Sequence, residues 1–224
     1  MLFPLLHVMT VSHMAAAAVD SCATDRLVDV PSRAAARLVI PPPTEPGAPL
    51  VVRGRVLRTN GTPVSGALIY VYHANAAGKY PKRPGLCGAA RLQGYLRGFV
   101  QTDARGQYEI VTIRPGVYEE RDTPAHLHLT VFTTVPPNRE RSAYIDDVMF
   151  DDDPILDEKY RSRLEGRGGN GIVHPTRSHG DTLFVTRDIQ WNRIPGVSSR
   201  VAPRRSLRVA RGAPSAFAEI HPRR

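Results

Sequence analysis

The sequence predicts an all-β fold: an antiparallel β-sandwich with one short late helix and irregular terminal segments. Three observations carry this. Short apolar, β-branched runs recur from Leu50 onward between turns rich in Gly, Pro and Asn. Residues 125–131 alternate strictly between apolar and polar side chains, the period of a strand with one buried face. Only one segment after residue 50 carries both a start and a stop signal for a helix.

Composition sets the frame for these elements. The 224 residues are 42% apolar and 23% charged, enough to bury one sizeable core and too few for two large domains. The formal charge of +9 is uneven: residues 196–224 hold seven arginines against Glu219, which is +6, leaving +3 for the other 195 residues. Basicity is thus a property of the tail, and no nucleic-acid partner is expected of the core. Three segments follow: 1–46 as an N-terminal stretch and proline-rich linker, 47–193 as the folded domain, and 194–224 as a basic, solvated and disordered tail. No apolar run reaches the roughly eighteen residues of a spanning helix, so no membrane span is expected. The first twenty residues contain an apolar stretch and an alanine run but no basic region before them; a cytoplasmic location is the reading and export the alternative. Cys22 and Cys87 fit no zinc ribbon, and one bridge between them is open in an oxidising compartment.

Taken in order, Val51–Leu57 and Ala67–His73 flank Asn60-Gly61 and read as a hairpin. Leu96–Gln101 and Gln107–Ile113 flank Asp103-Ala104-Arg105-Gly106 and read as a second one. In 125–131, Ala125, Leu127, Leu129 and Val131 form the core face, with His126, His128 and Thr130 opposite. Asp153-Pro154 reads as an N-cap followed by proline at the first helical position, with the helix running to about Leu164. Thr182–Ile189 is the last strand.

The chemistry centres on His126-Leu127-His128. On a strand, a His-x-His pair projects both rings from one face, close enough to share a metal ion, although the same pattern also serves as an ordinary polar face. Tyr118 follows the Arg114-Pro115-Gly116 turn, and Tyr80 follows Gly78-Lys79. A phenol with a pKa of about 10 ligates only when a highly charged cation displaces its proton, which points to a hard trivalent ion such as Fe(III). Structural tyrosines in a chain with eight of them are the competing reading. His73 reads as a wall or rim residue of the pocket, His174 and His179 as solvated, and the acidic run Asp146–Asp153 as helix-capping and solvated rather than calcium-binding.

At these residues the chain resembles the intradiol ring-cleavage dioxygenases, the family of protocatechuate 3,4-dioxygenase and catechol 1,2-dioxygenase, in a compact single-domain form. The resemblance spans about residues 47–190. It rests on Gly54-Arg55-Val56, the Gly61–Ala67 turn, Ala77-Gly78-Lys79-Tyr80, Thr102-Asp103 with Gly106 and Tyr108, Thr112–Tyr118, Pro124–His128 and Phe150–Pro154. It implies one non-haem ferric ion held by Tyr80, Tyr118, His126 and His128. It also implies cleavage of a catechol-type ring between its hydroxylated carbons by O2, giving a muconate-type diacid, with Tyr118 as both ligand and base. The partners it implies are a small catechol-type substrate and O2; a homo-oligomer is compatible with it.

Two positions depart from the family pattern. The arginine three residues before the first histidine is Thr123 here, and Arg121 is the candidate to supply that charge in catalysis. The Thr-Gln pair before Phe150 is replaced by Asp146-Asp147, which makes the expected pocket wall acidic. Two other classes of function compete: a transthyretin-like β-sandwich that binds or adheres without catalysis, and a zinc or copper hydrolase built on the His-x-His pair.

Overall fold

The computed structural model describes residues 30–40, 44–88, 90–118, 123–132, 142–177 and 180–194. Eleven strands are assigned among them: β1 Arg37–Val39, β2 Pro49–Leu57, β3 Leu68–His73, β4 Arg97–Gln101, β5 Gln107–Ile113, β6 His126–Phe132, β7 Ser142–Phe150, β8 Ile172–Val173, β9 Thr176–Arg177, β10 Leu183–Thr186 and β11 Ile189–Gln190. They form two sheets. One runs β1-β5-β2-β10-β9 with β11 also on β2, and the other runs β4-β3-β6-β7-β8. The sandwich is therefore as expected, but its sheets are mixed: β1 on β5, β10 and β11 on β2, and β8 on β7 are parallel pairs.

Neither expected hairpin forms. β2 pairs with β5, while β3 pairs with β4 and β6, so each Gly-containing turn carries the chain from one sheet to the other. The crossings are held by polar groups. Thr102 Oγ1 accepts from the Ala67 amide at 2.9 Å and donates to the Val64 carbonyl at 2.7 Å, and the Gly66 amide donates to the Thr102 carbonyl at 2.9 Å. A turn signal specifies a change of direction, and which strand lies alongside is decided by packing.

Helix content also differs from expectation. Two four-residue α-helices are present among the described residues, α1 Ala90–Gln93 and α2 Glu158–Arg161. The N-cap of α2 is Asp157, which accepts from the Tyr160 amide at 2.7 Å. Asp153 instead turns its carboxylate onto the Ala125 amide at 2.7 Å and the Ile155 amide at 2.9 Å, tying the start of β6 to the end of β7. Arg37–Val39, within the expected N-terminal segment, forms an edge strand on β5, and Ile40 is buried. The last strand breaks into β10 and β11 at Arg187, a buried side chain that donates to the carbonyls of Gly168 at 3.0 Å, Asp188 at 2.7 Å and Asp146 at 3.3 Å.

The core lies between the sheets. Ile69 and Val71 of β3, Leu127, Leu129 and Val131 of β6, and Ile145 and Val148 of β7 point into it and are fully buried. Period-2 alternation then sends Tyr72, His126 and His128 to the opposite face of this sheet. His73 falls on the core side and is not a pocket-wall residue. It is fully buried, donates from Nδ1 to the Ala74 carbonyl at 2.7 Å and accepts at Nε2 from Thr112 Oγ1 at 2.7 Å. Burial drives its pKa down to about 4.

The sign of that shift yields a prediction. A histidine with its folded pKa below its unfolded value stabilises the fold fully above pH of about 6.5, and that stabilisation is lost as pH falls toward 4. The contribution is on the order of 3 kcal/mol. Urea unfolding at pH 7 and pH 4.5 is expected to show a smaller pH-dependent loss for His73→Gln than for the natural chain; equal losses would contradict the assignment.

Candidate metal centre

Four side chains converge on the outer face of the second sheet. His126 and His128 rise from β6, while Tyr80 and Tyr118 descend from the loops after β3 and β5. Tyr80 Oη lies 3.0 Å from His128 Nε2; Tyr118 Oη lies 3.1 Å from His126 Nε2 and 3.0 Å from His128 Nε2. The two imidazole Nε2 atoms are 3.0 Å apart, and the two phenol oxygens are in direct hydrogen-bond contact. Donors adjacent around one ion, each about 2.1 Å from it, lie about 3 Å from one another, so this spacing fits a shared cation.

The two tyrosine loops meet by close backbone approach. The Gly116 amide donates to the Asn75 carbonyl at 2.9 Å, and the Asn75 side chain accepts from the Ala77 and Lys79 amides at 3.1 Å each. At Gly78, with φ of 73°, an added Cβ would sit 1.8 Å from the Val117 carbonyl oxygen. At Gly116 it would sit 2.3 Å from the Ala76 carbonyl oxygen. Only glycine lets the segments bearing Tyr80 and Tyr118 touch in this way. Arg114 anchors the second loop through a two-pronged pair with Asp152, at 2.8 and 2.6 Å, and covers the Phe150 ring at 4.6 Å.

The imidazoles are fixed in one tautomer each. His126 Nδ1 faces the Pro124 carbonyl at 2.6 Å, an acceptor only, so Nδ1 carries the proton and Nε2 presents its lone pair to the site. His128 Nδ1 faces Asp147 Oδ1 at 3.0 Å and also contacts Tyr144 Oη, which again leaves Nε2 free to ligate. Tyr72, directly opposite His128 in the β3–β6 register, stacks on the His128 ring at 4.4 Å.

Burial favours the neutral form of every donor whose shift is resolved. It pushes the His126 imidazolium down and both phenols up. The hydrogen bond between the phenols raises Tyr80 further and works against the rise at Tyr118. Burial, with the Asp147 charge next, lifts Tyr72 to about 12. Two phenols resisting ionisation beside two imidazole nitrogens suit a cation charged highly enough to displace phenolic protons, and this donor chemistry fits Fe(III).

His126, His128 and Asp147 offer ligand atoms within 4.8 Å of one another. Asp147, however, sits on the Nδ1 side of His128, whereas the phenols crowd the Nε2 side. Asp146, the other half of the acidic pair, is a buried tether: it accepts from the Gly166 amide at 2.6 Å and pairs with Arg167 Nε at 3.3 Å. Asp151 faces the exposed His174 at 3.0 Å. The run Asp146–Asp153 is thus a set of separate ties rather than a solvated cluster.

The expected Arg121 lies outside the described residues, as do His179, Cys22 and residues 195–224 of the expected tail, whose first residue, Ile194, is buried in the core. Cys87 is disulfide-bonded. Tyr72, Tyr144 and Tyr160 were not singled out by sequence; Tyr72 was detectable from the β3 alternation, the other two were not. A cleft of about 180 Å³, lined in part by Tyr144, Asp147, Tyr160, Arg163 and Arg167, lies on the Nδ1 side of His128 and includes none of the four donors. The larger cleft, about 510 Å³, lies on the other sheet, where Glu109 pairs with Arg37 and Arg53, and Asp188 with Arg55; none of the four donors lines it. No helix among the described residues is long and apolar enough to cross a membrane.

A family profile described as Dioxygenase matches residues 30–163. The chain is 34% identical over 124 residues to the protocatechuate 3,4-dioxygenase beta chain of Burkholderia cepacia, covering 49% of this chain and 48% of that one. It is 31% identical over 129 residues to catechol 1,2-dioxygenase 2 of Acinetobacter lwoffii, covering 50% and 44%. The chain thus spans about half the length of these curated relatives. Among solved structures, the dioxygenase domain of a carbohydrate-binding fusion from Streptomyces sp. SirexAA-E superposes with a TM-score of 0.51 at 22% identity, covering 69% of this chain and 87% of that one. Catechol 1,2-dioxygenase of Acinetobacter radioresistens gives 0.52 at 19%, covering 70% and 56%. At these identities the structural likeness speaks for the fold.

The glycine contact yields a prediction. Gly78→Ala or Gly116→Ala is expected to part the two phenols and cut the metal retained after purification about tenfold or more, while the circular dichroism of the sheets persists. Full metal retention in both variants would contradict the role given to the crossing.

Proposed function

Because the chain belongs to the intradiol ring-cleavage dioxygenase family, we propose that it is a non-haem Fe(III) enzyme cleaving a catechol-type ring between its hydroxylated carbons, with both atoms of O2 entering a muconate-type diacid. The observation that carries this reading is the convergence of Tyr80, Tyr118, His126 and His128 at about 3 Å spacing. Bound among these donors, a ferric ion supplies Lewis acidity toward both catechol oxygens and activates the ring carbon toward O2.

The chain's own groups do the rest. His126 and His128 hold fixed lone pairs toward the site, because their Nδ1–H groups donate to the Pro124 carbonyl and to Asp147. Tyr118 Oη touches the other three donors and is the group assigned to accept a substrate hydroxyl proton. Tyr72 closes one side of His128 and keeps water from that ring.

A hydrolase using His126, His128 and Asp147 around zinc or copper is the second reading, and their 4.8 Å grouping favours it. The phenols on the Nε2 side of His128 count against it, since zinc at neutral pH has no need of two such ligands.

Purified protein is expected to be coloured by ferric tyrosinate absorption and to hold one iron per chain by elemental analysis. Oxygen uptake is expected with dihydroxybenzenes. Colourless protein containing zinc or copper and inert toward catechols would refute the proposal. Tyr118→Phe is expected to keep part of the iron and lose about 100-fold or more in turnover. His128→Ala is expected to lose the metal.

A further inference from the structure

The paired strands β6 and β7 are out of step at the site. Their register advances by two residues from Leu127 to Leu129 on β6 and by three from Val148 to Ile145 on β7, so β7 carries one extra residue at Asp146-Asp147. Without that bulge, Tyr144 and Asp147, three residues apart on a strand, would point to opposite faces. With it, both reach the face that carries His128. Tyr144 donates to Asp147 Oδ1 at 2.5 Å, both groups touch His128 Nδ1, and the His128 and Asp147 side chains are 14% and 15% exposed. Arg167 covers the Tyr144 ring at 5.6 Å, and the neighbouring Asp146 ties the backbone at Gly166 behind it.

We propose that Asp147 and Tyr144 form a positioning pair for His128. The Asp147 carboxylate accepts the hydrogen bond from His128 Nδ1–H, Tyr144 fixes the carboxylate in place, and together they set the ring's orientation and strengthen Nε2 as a donor. His126 has only a backbone carbonyl at the corresponding nitrogen, so the two imidazoles are unequal: His128 is the stronger donor and the more rigidly held. The inference rests on the reading of His128 as an iron ligand, and it gives the acidic substitution before Phe150 a function that a pocket-wall role does not.

The test is Asp147→Asn, which keeps an acceptor oxygen and the side-chain shape but removes the charge, with Tyr144→Phe and Asp147→Glu alongside. The readouts are the ferric tyrosinate absorption maximum and the rate of iron loss to a chelator. A weaker donor at Nε2 leaves the iron more electron-poor. The absorption of Asp147→Asn is therefore expected at longer wavelength, and iron loss about 10- to 100-fold faster. Tyr144→Phe should move both in the same direction by less, and Asp147→Glu should restore part of each. Iron-loaded Asp147→Asn with the natural band position and chelation rate would overturn the inference while leaving the dioxygenase reading standing. Should Asp147→Asn not fold, an unshifted band and an unchanged rate of iron loss in Tyr144→Phe would overturn it equally. Absence of any tyrosinate band in the natural protein would remove the dioxygenase reading and the inference together.

Discussion

The site depends on a place where two loops touch backbone to backbone. Residues 75–79 and 116–118 leave different sheets, β3 and β5, and nothing in either sheet obliges their ends to meet. The Gly116 amide on the Asn75 carbonyl joins them, and the missing side chains of Gly78 and Gly116 let the carbonyls of Val117 and Ala76 come close. From that contact the two phenols inherit their separation. The histidines then need only the regular geometry of β6 to complete the set.

A division between the faces of one sheet makes this compatible with stability. Apart from the buried His73, the inner face of β3, β6 and β7 is aliphatic and fully buried, as in Val71, Leu127, Leu129 and Ile145. The outer face carries phenols and imidazoles, where partial burial holds the resolved donors neutral. Neutral, hydrogen-bonded donors cost little to desolvate, whereas the same groups ionised without a counter-charge would not persist there. The fold and the site therefore make opposite demands on adjacent residues, and alternation along the strand meets both.

The acidic segment Asp146–Asp153 shows how like charges are spent singly. Asp146 holds Gly166 and Arg167, Asp147 faces His128, Asp151 faces His174, Asp152 grips Arg114, and Asp153 ties β6 to β7. Each carboxylate reaches a different element, so repulsion within the run is offset locally by a separate partner. Two of these ties, Arg114 with Asp152 and Asp153 with Ala125, fix the segments from which Tyr118 and His126 emerge.

Local pattern alone was sufficient for the β-rich class and for the inward leucines and outward histidines of β6, whereas spacing left Tyr80 and Tyr118 as two tyrosines among eight and only the family motifs around them set them apart. The first two rest on interactions between residues close in the chain, and a period of two is visible in one dimension. Strand partners were not accessible in that way, because Asn60-Gly61 specifies a reversal without specifying which sheet receives the next strand. Nor was the inward turn of His73, whose partner Thr112 lies 39 residues away. The convergence of Tyr144 with Asp147 came from a bulge in one strand measured against another, a quantity that exists only once the two are paired. Residue chemistry was written in the chain; which chemistries face one another was decided by long-range packing between sheets.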